Sequence, residues 1–493
     1  MAAPVPDLAQ TPVAIVDIGS NSVRLVVYEG ETRTAATLQN EKSICGIGRD
    51  MVTTGRLHAE GCTEALEALA RFRLIADGLG IPVREAVATA AARDASNGTE
   101  FIARAEKAWG SPIRILAGED EARIAAEGVI AGIPEAHGLA ADLGGGSLDM
   151  VSVKAGHTGK AFTLPFGPLR LMDQSKNDPD KARDIVDRGL KTLPDLDAPA
   201  LYAVGGVWRA FARVDMEEQN YPLHVLQHYI IPRARALRLC KLLAGLSRDS
   251  IRKIKVVSKR RAESLPYGAV VLERLIEAGG IRDVVISAYG LREGLHYARL
   301  SAAERAKDPL VDFARASNAR FARVPQHAKE MFDWTGVLFE GETAEMARIR
   351  EASAFFSDIG WRRHPDDRAI GAFGQVLTAP FAGADHRARA LIAASVYYRH
   401  SGDEDFPRDL ALAALLDKDD ERRARILGLA WRFGFSLSAS AAGEFSNYKL
   451  RVTPAKVILD VPRKREAIAS EPVQKRLGEL ADAMGRRGEI LIG

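Results

Sequence analysis

Two short stretches of this chain have residue types and spacing suited to chemistry on phosphate. They are Asp17-Ile18-Gly19-Ser20-Asn21-Ser22 and Asp142-Leu143-Gly144-Gly145-Gly146-Ser147. Asp17 aligns with Asp142, Gly19 with Gly144 and Ser22 with Ser147, each 125 residues further on. A tight turn of glycines and small hydroxyl residues presents successive backbone N–H groups as a concave nest for phosphate oxygens, which must approach the backbone closely. An Asp ahead of such a turn would repel the phosphate unless a cation lay between them. Mg²⁺, which binds through one or two carboxylates together with waters and phosphates, suits that place, with Asp17 and Asp142 as its protein ligands. One such turn could be an ordinary hairpin; two aligned copies point to phosphate binding.

Two other segments carry groups that phosphoanhydride hydrolysis needs. Gly118-Glu119-Asp120-Glu121-Ala122-Arg123 places three acids at a helix start, where the helix dipole stabilises them. A carboxylate facing a terminal phosphate could also orient or deprotonate water, which makes Glu121 a candidate base. Val87-Ala88-Thr89-Ala90-Ala91-Ala92-Arg93 leads from a strand through small residues to Arg93. On a surface Arg93 would be a solvated charge, whereas pointing inward its forked donors would grip a phosphoryl group.

The elements that must position these groups alternate between β and α patterns. Val13–Val16 and Val23–Tyr28 read as a hairpin around the first turn, followed by a helix over Thr63–Leu79 and a strand over Val83–Ala88. The second unit repeats the plan, with strands over Leu139–Ala141 and Leu148–Val153, a strand from Leu201 into Gly205-Gly206, a following helix, a strand over Val284–Ser287 and a helix opened near Tyr289. An offset of this length is too long for a solenoid period and implies two related α/β domains, over 11–130 and 131–305, after a flexible lead over 1–10. From about Lys307 helical spacing dominates, so 306–440 should be mostly helical. A small α+β tail is expected over 441–493, with strands at Tyr448–Val452, Lys456–Val461 and Glu489–Ile492 and a helix over Glu471–Met484.

Composition narrows the class. Of 493 residues, 47% are hydrophobic and 27% charged, as in ordinary globular proteins, which excludes disordered and fibrous chains. A net charge of +3, from 68 basic and 65 acidic residues, is too small to indicate a nucleic-acid partner. Three cysteines without a CxxC pair and the absence of a long apolar run lead to the expectation of a cytoplasmic protein with no membrane partner.

The ordered set VDIGSNSVRLVVYE, ATAAARDASNG, LAGEDEARIAAEGV, ADLGGGSLDMV, LPFGPLRL, AVGG and ISAYGLREG, over residues 11–305, resembles the exopolyphosphatase and guanosine pentaphosphate phosphohydrolase family. The resemblance implies two actin-like, ribonuclease-H-like domains enclosing a cleft. It places the catalytic glutamate at Glu121 and the phosphate loops at Asp17, Gly19, Ser20, Asn21 and Ser22 and at Asp142, Gly144, Gly145, Gly146 and Ser147. Arg93 matches the family's phosphate-binding arginine, and Arg261, seven residues before Gly268, a second one. Arg261 also closes the basic run that starts at Arg252, which for a polyanion could be a guide track. Mg²⁺ is the implied cofactor.

Longer members of that family carry an HD-like domain in the place of the helical part. Here the expected His-Asp pair reads Ser357-Asp358, so metal-phosphohydrolase chemistry is not expected there. His327, His364, His386 and His400 are read as helix-surface or core residues, and the domain as structural, dimerising in a homodimer, or chain-gripping. Inorganic polyphosphate is the favoured substrate, with guanosine pentaphosphate the alternative. A regulator that binds nucleotide or polyphosphate without turnover would leave Glu121 without a purpose. A sugar kinase or chaperone-like ATPase would leave ATAAAR and GEDEAR unexplained.

Overall fold

The computed structural model describes residues 11–193, 198–402 and 414–493; the expected lead over 1–10 lies outside them. The chain divides into two units between Lys307 and Asp308.

The first unit contains two sheets of related plan. Strands β1 (Val13–Ile18), β2 (Val23–Tyr28), β3 (Thr37–Ser43), β4 (Val83–Ala88) and β5 (Arg114–Ile115) form one sheet in the order β3-β2-β1-β4-β5. Strands β6 (His137–Leu143), β7 (Leu148–Lys154), β8 (His157–Leu164), β9 (Ala200–Val204), β10 (Tyr229–Pro232) and β11 (Asp283–Ile286) form the other in the order β10-β11-β9-β6-β7-β8. In both, the first strand pairs antiparallel with the second and parallel with the fourth. The expected strands are all present. The helix expected over Thr63–Leu79 runs Ala59–Gly78, because the His58 side chain caps it by accepting from the Gly61 amide.

β1 reads as a near-continuous apolar run because helices cover both of its faces. Ala14, Val16 and Ile18 pack against Leu69, Phe72, Phe101 and Trp109 on one side, and Val13 and Ile15 against Leu291 and Leu295 on the other. The second sheet is covered on one face by a large core that includes Trp208, Phe211, Leu239 and Leu272, and on the other by the helix Gly118–Gly132. The two sheets thus exchange helices. Gly118–Gly132, counted with the first domain from its place in the sequence, lays Ala122, Ala126 and Val129 on Ala140, Val151 and Ala161 of the second sheet. Leu291–Arg299, which follows the second sheet, covers the first. The two helices cross at backbone contact: a Cβ on Gly294 would lie 1.8 Å from the Ile124 carbonyl oxygen.

In the second unit the first helix, Pro309–Phe321, is started by Asp308, whose carboxylate accepts from the Leu310 and Val311 amides. Helices Pro325–Trp334, Ala344–Phe356, Arg368–Leu377, His386–Ser401 and Lys418–Ser438 follow. The tail is a three-stranded sheet, β12 (Lys449–Val452), β13 (Lys456–Val461) and β14 (Arg487–Ile492), with the helix Glu471–Ala483 between the last two strands in sequence. Among the described residues no helix is long and apolar enough to cross a membrane.

Candidate active site

The two hairpins β1–β2 and β6–β7 close in the same way. The Gly19 amide donates to the Ser22 carbonyl at 3.0 Å, and the Gly144 amide to the Ser147 carbonyl at 3.0 Å. The amides of Ser20, Asn21, Gly145 and Gly146 donate to no backbone group in turns or loops among the described residues, so they remain available to an anion. The tips face one another, since a Cβ on Gly145 would lie 3.5 Å from Ser20 Cβ. Gly167, in the LPFGPLRL segment, supports the second turn from behind; a Cβ there would lie 2.3 Å from the Gly146 nitrogen.

A cleft of about 780 Å³ brings together Asp17, Gly19, Ser20, Asn21, Ser22, Glu121, Asp142, Gly144, Gly145, Gly146, Ser147 and Arg261. Arg93 lines an adjoining pocket that shares Ser20, Gly145, Gly146 and Ser147. Its Nη1 donates to the Leu116 carbonyl at 2.9 Å and lies 3.6 Å from Glu121 Oε2. The strand β4 ends at Ala88 and the short helix Ala90–Asp94 turns Arg93 inward, so the segment delivers its charge to the cleft.

The acidic triplet separates by side. Glu119 and Asp120 are exposed and pair with Arg123 one turn on, whereas Glu121 retains 14% of its side-chain exposure and faces the cleft. Its Oε2 is buried and accepts no hydrogen bond. Burial, and then the nearby carboxylates of Asp149, Asp142 and Asp17, hold the Glu121 carboxyl well above its ordinary range, against Arg93. Burial and Asp149 push Asp142 up to about 7, with Arg209 opposing. Asp17 is raised by burial, with Arg292 and Arg24 opposing.

Asp149 was not singled out in the sequence. Across the β6–β7 pair it faces Asp142, and at the same place in the β1–β2 pair Asp17 faces Arg24. The Ser147 hydroxyl donates to Asp149 Oδ2 at 2.8 Å, while Oδ1 is buried without a partner. Burial raises the Asp149 carboxyl. The repeated hairpin therefore ends in two carboxylates in one copy and in an acid facing a cation in the other. Arg24, Lys42, Arg209 and Arg292 also line the cleft and were likewise not singled out. Their only signals were a charge inside the apolar β2 and the Arg292-Glu293 pair within ISAYGLREG.

With Arg261, these residues form a cationic wall. Burial and then Arg292 and Arg209 bring Arg24 down to about 10. Burial and then Arg24, Arg261, Arg209 and Arg292 bring Lys42 down to about 8. Arg292, by contrast, is raised against its burial by Glu293 and Asp17, so the like-charge depression falls on Arg24 and Lys42.

The sequence pattern of the Ppx/GppA phosphatase family matches residues 25–303. This chain belongs to that family. A second pattern, that of the exopolyphosphatase C-terminal region, matches residues 313–491. Retrograde regulation protein 2 of Saccharomyces cerevisiae is 25% identical over 471 residues, covering 84% of this chain and 77% of the yeast protein. Among solved structures, the Ppx/GppA enzyme of Aquifex aeolicus superposes with a TM-score of 0.52 at 23% identity, over 59% of this chain and 99% of its own. An exopolyphosphatase from Cytophaga hutchinsonii does so with a TM-score of 0.54 at 24% identity, over 58% of this chain and 97% of its own. These likenesses establish the family's two-domain α/β fold, of actin-like and ribonuclease-H-like type, followed here by a helical part.

Proposed function

We propose that this member of the family is an Mg²⁺-dependent exopolyphosphatase that releases orthophosphate from the end of inorganic polyphosphate. The observation that carries the proposal is the division of one cleft into a carboxylate end, with Glu121, Asp142 and Asp149, and a cationic wall, with Arg24, Lys42, Arg209, Arg261 and Arg292. Among the described residues the five make no side-chain ion pair within 4 Å, although Glu293 and Asp17 act on Arg292 from further off; a polyanion would meet their donors directly. None of the side chains lining the cleft is aromatic, and a base-binding site ordinarily offers a stacking face. That favours an inorganic chain over a guanosine polyphosphate. The match of residues 313–491 to the exopolyphosphatase C-terminal pattern supports the same choice.

The residues present fit Mg²⁺. Two buried carboxylate oxygens, Glu121 Oε2 and Asp149 Oδ1, lack partners, and the acids raise one another. Among the described residues no three His, Cys, Asp or Glu gather as a metal site; an ion here would be held by Asp142 and Asp17 and completed by phosphate oxygens and water. When bound, it would offset negative charge on the phosphoryl oxygens.

In the reaction, the amides of Ser20, Asn21, Gly145 and Gly146 and the guanidinium of Arg93 hold the terminal phosphoryl group in line. Glu121, made more basic by its surroundings, orients a water molecule and takes its proton as the oxygen attacks phosphorus. The bond to the bridging oxygen breaks, that oxygen remains on the shortened chain, and orthophosphate leaves. The test is orthophosphate release with Mg²⁺ from long polyphosphate, guanosine pentaphosphate and ATP, by the wild type and by Glu121→Ala. The expected result is release chiefly from polyphosphate and its loss in the variant. Release only from the pentaphosphate would reverse the substrate assignment. The name of the yeast relative favours a second reading, a regulator that binds the anion without turnover. Tight binding of polyphosphate with no release by the wild type would establish it.

A further inference from the structure

The segment LPFGPLRL ends on an arginine, Arg170, that does not line the cleft. The Leu169 amide donates to the Gly145 carbonyl at 3.1 Å, which ties the helix Pro168–Ser175 to the second turn and sets Arg170 one residue beyond it. Arg170 makes no ion pair within 4 Å among the described residues, and its Nε is buried without a hydrogen-bond partner. Asp173, in the same helix, does not neutralise it: that carboxyl is raised by burial and by Asp50.

Arg170 lines the pocket of about 150 Å³ that adjoins the cleft. A cavity of ~10–15 Å³ admits one water, so this pocket has room for a tetrahedral oxyanion. It contains a second guanidinium, that of Arg93, and shares the turn tips, Ser20, Gly145 and Gly146, with the cleft. Arg93 commits its Nε to Asp94 and its Nη1 to the Leu116 carbonyl, and its Nη2 makes no hydrogen bond among the described residues. None of Arg24, Lys42, Arg209, Arg261 and Arg292 lines the pocket. Thr163 and Pro165 line it but not the cleft, and both are exposed. The pocket therefore reaches solvent without passing the cationic wall.

We infer that this pocket binds the orthophosphate product, through Arg170 and Nη2 of Arg93, and gives it an exit apart from the path of the chain. The inference rests on the hydrolytic reading of the cleft. In an in-line displacement the freed phosphate and the shortened chain part along one line, the phosphate towards the side from which water attacked. Glu121 marks that side, and Arg93 Nη1 stands 3.6 Å from its Oε2. Arg93 thus reaches from the attack side into the pocket, where the Arg170 guanidinium, whose donors match phosphate oxygens, takes up the product. The shortened chain stays on the cationic wall while orthophosphate leaves, and can advance without dissociating.

Crystals of the full chain soaked in tungstate, a phosphate analogue with strong anomalous scattering, should show density between Arg93 and Arg170, and crystals of Arg170→Gln should lose it there. A wild-type map without that density overturns the inference, whatever occupies the cleft. In solution, added orthophosphate should slow the shortening of long polyphosphate, read on gels, and saturating polyphosphate should not abolish the inhibition. Arg170→Gln should need about tenfold more orthophosphate for the same inhibition, and Arg170→Lys, which keeps the charge, less than Arg170→Gln. Inhibition that saturating polyphosphate removes, or that is equal in the wild type and Arg170→Gln, overturns the product site. A wild type that holds tungstate here but shortens no polyphosphate overturns the hydrolytic reading and the product role with it, and leaves the phosphate site standing.

Discussion

Position for position, Arg24 in the first hairpin corresponds to Asp149 in the second. At that place Asp149 adds to the rise that burial causes in Asp142, whereas Arg24 opposes the rise that burial causes in Asp17. Glu121 lies at the carboxylate end. Glu121→Gln should lower kcat on polyphosphate by ~10²–10⁴-fold with KM little changed, as read from steady-state orthophosphate release. The same variant should not lower the melting temperature, because the native carboxylate is held among like charges. Equal kcat in the two proteins would remove Glu121 from the chemistry. At the cationic end, Lys42 carries charge below about 8 and loses it above. KM for a polyanion should therefore rise several-fold as pH increases through that value, and Lys42→Arg, which keeps its charge, should flatten the rise. A KM that climbs equally in both proteins would show that Lys42 does not grip the chain.

The turns depend on supports that lie outside them. Gly167 touches the second turn at the Gly146 nitrogen, where a Cβ would lie 2.3 Å away. Gly167→Ala must displace backbone, not a flexible side-chain end. It should cost ~1–3 kcal/mol in denaturant unfolding and raise KM as the anion nest opens; wild-type values of both would show that the turn is not held from behind. The β–turn–β units were legible in the sequence, because strand alternation and turn chemistry are set by residues a few positions apart. The partner of the helix Gly118–Gly132 was not. Its apolar face, Ala122, Ala126 and Val129, announces burial but does not say against which sheet.

Across the whole molecule, acid should act on the second unit through His327. This ring is 2% exposed and bonded to the Ser438 hydroxyl, and burial, only partly opposed by Asp358, brings it down to about 4 from an ordinary 6.5. An unfolded chain takes up the proton below about 6.5 while the folded one resists until about 4. The stabilisation is thus complete above the higher value and is lost as pH falls towards the lower one. Calorimetry of the full chain should show a transition whose midpoint falls over that interval, and His327→Gln should reduce the slope. An unchanged slope would assign the acid sensitivity elsewhere. By itself, the order of residues determined the two aligned turns, their residues with Glu121 and Arg93 as candidates for phosphate chemistry, and the change of texture near Lys307, where the structure also divides. Those features are local, or repeat at a fixed offset, and so survive in one dimension. Only the tertiary structure decided that Arg24, Lys42, Arg209 and Arg292 line one cleft, that Asp149 joins Glu121, and that Arg323 and Arg399 of the second unit meet at Asp358. The reason is physical: a charge takes its meaning from the others within several ångströms, and these reach one another from strands and helices far apart in the chain.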